Sequence, residues 1–120
     1  MSVGGWELLR IGQHGVVTVP AEVDVTNSGE VRKALLSAAS QGVPVLIIDM
    51  SGTTFCDSTG VQAIIAAHRQ AMASGTVLRL VATAVLRILT VVGVDQMIPI
   101  YPDLEAALAA RTTDTGAKSG

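Results

Sequence analysis

Asp57, Ser58 and Thr59 stand side by side, with Cys56 before them and Gly60 and an apolar run after them. Each residue type brings its own chemistry. A serine or threonine hydroxyl accepts a phosphoryl group, a carboxylate caps a helix or holds a proton, and a thiolate attacks carbon. The plainest reading of "FCDSTG" is a helix N-cap, in which Asp57 accepts hydrogen bonds from backbone N–H groups two or three residues on. Such a cap is worth about 1 kcal/mol. It does not require Gly60, since glycine in a first helical turn gives up roughly 1 kcal/mol of propensity against alanine. The missing side chain is expected to clear space above the helix end. Ser58 then stands on an N-terminus whose unpaired N–H groups and dipole favour an anion. A phosphate on Ser58 suits that backbone, although Asp57 beside it opposes the added charge. Thr59 offers a second hydroxyl at the same helix start.

Other chemistries have less behind them. Cys56 beside Asp57 suggests a nucleophile with His14 or His68 as its base, but a small buried thiol is the better reading, and nothing points to a lowered pKa. His68 falls on an apolar helix face, where a packed histidine is the ordinary case. A hydrolase using Ser58 or Cys56 lacks a glycine-framed nucleophile elbow and a convincing base. Two histidines and one cysteine give no metal-ligand spacing. Neither GxxxxGK[ST] nor GxGxxG occurs, so no nucleotide or other cofactor is expected to be held by this chain. Thr53 and Thr54 read as turn residues.

The elements that must carry these residues follow from hydropathy and punctuation. The chain has 120 residues, 49% of them apolar and 15% charged, which suits one domain with a core. Aromatics are 2%, so the core is aliphatic. A net charge of −2 without a basic cluster argues against nucleic acid. The N-terminus lacks a basic start and an apolar core, so no secretory signal is read. Arg79 and Arg87 interrupt the apolar stretch 77–94, and a central arginine costs about 2.5–3.5 kcal/mol on insertion into a membrane. The sequence predicts strands at 6–11 and 16–19 and a helix over 29–39, capped by Thr26, Asn27 or Ser28. It then predicts a doubly covered strand at 43–50 and a helix presenting Val61, Ile64, Ile65, His68 and Met72, which stops at Ser74-Gly75. A strand at 77–81 and a helix with Val85, Leu86, Leu89 and Val92, closed by Gly93, come next. A short edge strand around Pro99 and a helix from Pro102-Asp103 to about 110 complete the series. The order ββαβαβαβα is α/β, a mostly parallel central sheet with flanking helices. Residues 1–110 form the expected domain and 111–120 a flexible polar tail.

On these residues a family resemblance can be named. "LIIDMSGTTFCDSTGVQAII" resembles the central motif of STAS domains, the domain class of bacterial anti-sigma factor antagonists. That motif has an apolar strand ending in Asp, a small-residue loop, then Asp-Ser-Ser/Thr-Gly and an apolar helix; Asp49, Phe55, Asp57, Ser58, Thr59 and Gly60 occupy those places. "VVTVPAEVDVTNSGEVRKAL" resembles the family's second strand, following loop and first helix, with Ala21 where the family usually has Gly, so this loop is expected to be stiffer or differently bent. The resemblance covers about 6–110. It implies that Ser58 is phosphorylated by the partner itself, an anti-sigma factor of the histidine-kinase-like ATPase type. The unphosphorylated form binds that kinase and frees the sigma factor. The phosphorylated form lets go, and a PP2C-like phosphatase restores it. The resemblance puts Asp24 and Glu22 beside Asp57, Ser58, Thr59 and Gly60 in the partner's footprint, with Gly60 letting the partner and its ATP approach. It implies a cytoplasmic binding protein, not an enzyme. The alternative is a STAS subunit of a signalling or lipid-transport complex in which Ser58 stays unmodified.

Overall fold

Val45, Leu46, Ile47 and Ile48 leave no polar face for water, and the fold covers both sides of them. A computed structural model describes residues 2–3 and 6–110. The elements run β1 (Ser2–Val3), β2 (Trp6–Ile11), β3 (His14–Thr18), β4 (Glu22–Val23), α1 (Ser28–Ala39), β5 (Val45–Met50), β6 (Phe55–Cys56) and α2 (Ser58–Ser74). They continue with β7 (Val77–Ala82), α3 (Leu86–Val91), a 3-10 turn (Val94–Gln96), β8 (Ile100–Tyr101) and α4 (Leu104–Ala109). The expected tail at 111–120 lies outside the described residues.

The six-stranded sheet has the order β1-β2-β3-β5-β7-β8. β1, β2 and β3 pair antiparallel, and β3, β5, β7 and β8 pair parallel. Each parallel strand lies beside its predecessor, so every crossover turns the same way. Right-handed crossovers then put the connecting helices on one face. Alternation along the strands sorts the core accordingly. Leu46, Ile48, Met50, Leu78 and Leu80 join Leu35, Ile64 and Leu89 in one cluster. Val16, Val45, Ile47 and Val81 join Ala107 of α4 in another, on the opposite face.

The helix α2 differs in one respect from the predicted face. Its buried residues are Gly60, Val61, Ala63, Ile64, Ala67 and Ala71, whereas Met72 is 67% exposed and Ile65 and His68 are half-buried. The buried stripe is a row of small residues. It lets α1, with its own Ala34 and Ala38 inward, lie close alongside. A pattern weighted to large side chains misplaces such a stripe. Gly75 ends α2 in the left-handed conformation, as Ser74-Gly75 predicts.

Arg79 of β7 is buried on the α4 side. Its Nη1 donates to the Ala107 carbonyl at 2.9 Å and lies 3.5 Å from His14 Nε2. The charge therefore stands at the carbonyl end of α4, where a cation is favoured. Its Nε has no hydrogen-bond partner among the described residues.

Candidate functional site

The site begins where β5 ends. Asp49 Oδ1 accepts from the Ser51 N–H at 2.9 Å, and the Thr53 N–H donates to the Met50 carbonyl at 3.0 Å, so the chain turns at once. Thr53 is fully buried, and its hydroxyl donates to the Pro20 carbonyl at 2.9 Å. The Thr54 N–H donates to the Ala21 carbonyl at 2.8 Å. β6 then pairs parallel with β4, Glu22 opposite Phe55 and Val23 opposite Cys56. The Asp57 N–H donates to the Val23 carbonyl at 3.1 Å. This two-stranded ladder was absent from the sequence reading, because two-residue strands carry no periodicity. It joins the segment around Asp24 to the start of α2.

At the helix start Asp57 is the N-cap. Its Oδ1 accepts from the Thr59 N–H at 2.9 Å and the Gly60 N–H at 3.3 Å. The Thr59 hydroxyl donates to the same oxygen. That hydroxyl bond foremost, with the N–H groups of Gly60, Thr59 and Val25, holds the Asp57 carboxyl below the usual carboxylate range against a partly opposing loss of hydration. Thr59 is half-buried with its hydroxyl engaged. Ser58 is exposed, and among the described residues no hydrogen bond engages its hydroxyl. The two hydroxyls at this helix start are thus distinguished by geometry.

Asp24 opens the β4–α1 loop. Its Oδ1 accepts from the Thr26 N–H at 2.9 Å and from the Thr26 hydroxyl. Its own N–H donates to Asn27 Oδ1 at 3.0 Å. Asn27 Nδ2 donates to the Glu22 carbonyl at 2.8 Å. Asn27 is the N-cap residue of α1, yet its side chain makes no cap bond. It clamps the loop behind it instead. Ala21 brings no strain, for no non-glycine residue among those described has positive φ.

Gly60 requires a correction. It is buried, and a Cβ there would stand 2.5 Å from Cys56 Sγ and 2.8 Å from Val23 Cγ1. The missing side chain makes room inward, for the β4–β6 ladder, and not outward for a visitor. Cys56 is buried, and burial foremost, then the Asp57 charge, pushes its thiol up to about 11. It is an inert packing group at neutral pH. Neither histidine approaches the site. His14 lies at the start of β3 and His68 lines a cavity of about 500 Å³ with Thr76, Val77 and Pro99, at the starts of β7 and β8. Ser58 follows the opposite, carboxyl end of β5. A histidine-assisted nucleophile therefore has no geometry here. No group of three or more metal-ligating side chains occurs among the described residues. No described helix is long and apolar enough to cross a membrane.

The sequence reading missed Val23 and Thr53, which hold the ladder, and an apolar surface on α3. The signal for the latter was present, since Leu86, Ile88, Val91 and Val92 go round α3 on more sides than one core can cover.

A model of the STAS domain family matches residues 6–107. The chain belongs to the STAS family. No sequence match was found among curated proteins. A crystal structure of an anti-sigma factor antagonist from Mycobacterium paratuberculosis is 25% identical to this STAS domain, with a TM-score of 0.79 over 90% of this chain and 96% of that one. The anti-sigma factor antagonist SpoIIAA in its unphosphorylated form is 20% identical, TM-score 0.68, over 86% and 93% of the two chains. The phosphorylated form of this Bacillus cell fate determinant is 19% identical, TM-score 0.64, over 89% and 100%. The murine solute carrier 26 family member A9 anion transporter is 23% identical, TM-score 0.67, over 83% of this chain and 18% of the transporter.

Proposed function

We propose that this STAS domain is an anti-sigma factor antagonist switched by phosphorylation of Ser58, regulating transcription from the cytoplasm. One observation carries the reading: of two adjacent hydroxyls at the start of α2, Thr59 is tied to Asp57 and Ser58 is exposed and unengaged. The likeness to anti-sigma factor antagonists supports it. The unphosphorylated domain binds an anti-sigma factor of the histidine-kinase-like ATPase type and so frees a sigma factor. With the partner's ATP in place, Ser58 Oγ attacks the γ-phosphorus. The Oγ–P bond forms, the bond to the β-phosphate oxygen breaks, ADP leaves and the hydroxyl proton passes to a base. The chain supplies a positioned acceptor and no catalysis of its own.

Phosphate adds about −1.5 to −2 charges. Asp57 already takes the Thr59 and Gly60 N–H groups, so the helix dipole and the exposed position of Ser58, against the neighbouring Asp57 charge, are what let the fold tolerate it. A partner surface that had closed over a neutral hydroxyl does not, and like charges in a desolvated contact cost several kcal/mol. About 2.7 kcal/mol already changes affinity a hundredfold. A PP2C-like phosphatase resets the switch. Asp24, Asp57 and Glu22 flank Ser58 in the proposed footprint.

The test incubates the domain with the anti-sigma factor kinase and Mg-ATP and locates the added mass by tandem mass spectrometry. One phosphate on Ser58 is expected, and a phosphate on Thr59, Thr53 or Thr54 with Ser58 clean overturns the assignment. Ser58→Ala should bind the kinase and stay bound. Ser58→Asp should bind more weakly with little change in melting. The transporter likeness supports a second reading, a STAS module of a transport or signalling complex in which Ser58 is unmodified. Equal affinities of the Ala and Asp variants would favour it.

A further inference from the structure

At the amino ends of β7 and β8, away from Ser58, the ladder between the two strands breaks off. β8 pairs with β7 only at Leu80 and Val81, and the Leu80 N–H donates to the Pro99 carbonyl at 3.0 Å. Residues two apart in a strand turn their backbone groups to the same edge, so those of Leu78 face the β8 side too. The Val77 N–H faces the other way and donates to the Pro44 carbonyl at 2.9 Å. Continuing the β8 register one step back puts the Pro99 nitrogen opposite the Leu78 carbonyl, and proline has no N–H to give. Further back, the Thr76 N–H is taken by the Ala71 carbonyl at 2.8 Å. Leu78 alone is left over, and among the described residues no hydrogen bond engages its N–H or C=O.

That edge borders the cavity of about 500 Å³ already noted, which Leu78 lines. Met72 of α2 and Met97, after the 3-10 turn, stand on it 67% and 42% exposed, with Ile98 and Pro99 as further apolar wall. Asp95 also lines it, and no lysine or arginine does among the described residues.

We infer that this cavity binds a small neutral cyclic amide, whose C=O accepts from the Leu78 N–H and whose N–H donates to the Leu78 carbonyl. Buried backbone groups are almost always paired. One water occupies about 30 Å³, far less than this space, which falls within the roughly 300–1,000 Å³ of ligand pockets. An extended residue holds its N–H and C=O side by side. An open-chain secondary amide is trans and points its own pair in opposite directions, whereas a small ring holds the amide cis and turns both to one side. The thioethers give the ring polarizable walls. Asp95, with no cation beside it, refuses a phosphate or carboxylate. An added peptide strand needs a run of free edge, and this gap is one residue long. The inference does not depend on the reading of Ser58.

The test titrates the isotope-labelled domain with 2-piperidinone and, in parallel, with its N-methyl derivative, and follows the backbone amide resonances. A ligand this small binds with a Kd of about 1 mM. The lactam is expected to shift Leu78 and its neighbours in the cavity, and the N-methyl compound, which has no N–H, to leave Leu78 in place. Pro99→Ala supplies the donor that the ladder lacks and should weaken lactam binding about tenfold. Met97→Ser should weaken it several-fold and, with Met97 at the surface, melt as wild type. Thermal melts accompany both variants, so Met97→Ser decides if Pro99→Ala unfolds. Equal shifts from both compounds, or unchanged affinity in Met97→Ser, overturn the inference. So does an unmoved Leu78 at saturating lactam. A short extended peptide that moves Leu78 where the lactam does not would assign the edge to strand addition and overturn it as well.

Discussion

A methyl group added at Gly60 would meet Cys56 Sγ at 2.5 Å and Val23 Cγ1 at 2.8 Å. Helix propensity alone favours Gly60→Ala by about 1 kcal/mol. Overpacking of a tight site costs about 1–3 kcal/mol and should win. The melting temperature of Gly60→Ala is therefore expected to fall. Cys56→Ala placed in that background should recover part of the loss, because it removes the nearest atom. A rise in melting temperature of the single variant would mean the ladder yields freely. Asp57 makes a second residue-scale expectation. Its carboxyl is held below the usual value, so at about pH 4 the unfolded chain binds more protons than the folded one. Its contribution is present above the unfolded value and is lost as pH falls through the folded one. Asp57→Asn should flatten that part of the acid stability curve, and urea unfolding between pH 3 and 6 measures it. Asp57 was legible as a cap because its partners are two and three residues away. Gly60 was misread because its neighbour Val23 is remote in the chain, and no local pattern reveals a remote neighbour.

At the scale of elements, the site is held by the ladder of β4 and β6, and Thr53 is its buried pin. Thr53→Val keeps the shape and removes the hydrogen bond to the Pro20 carbonyl, which should cost about 1 kcal/mol. Because Thr53 is fully buried, any slowing of Ser58 phosphorylation in this variant reads the placement of the acceptor and not a lost partner contact. A phosphorylation rate equal to wild type, with the melt lowered, would show that the ladder serves stability alone. The long elements were legible because each states its period over many residues: the apolar run of β5, the glycine stop of α2, the Asp103 cap of α4, which accepts from the Ala106 N–H at 2.8 Å. The ladder was not. Four residues in two pieces present nothing to a period of two. The position of α2's inner stripe escaped for a related reason, since alanines at 63, 67 and 71 count little in a tally of hydrophobicity and a great deal in how near α1 can lie.

At the scale of the molecule, α1, α2 and α3 cover one face of the sheet and α4 covers the other. That division has a consequence during folding. β7 precedes α4 in the chain, and until α4 docks, Val16, Ile47 and Val81 lie bare on that face. A flat apolar face of parallel strands is a surface on which nascent chains aggregate. Arg79 stands in the middle of it. Until α4 arrives its guanidinium is hydrated, and a charge inside a β-rich apolar run is what keeps such a run from stacking on its neighbours. Once α4 docks, the same group donates to the Ala107 carbonyl and is sealed in. One side chain thus guards the unfinished face and then fastens the helix that closes it.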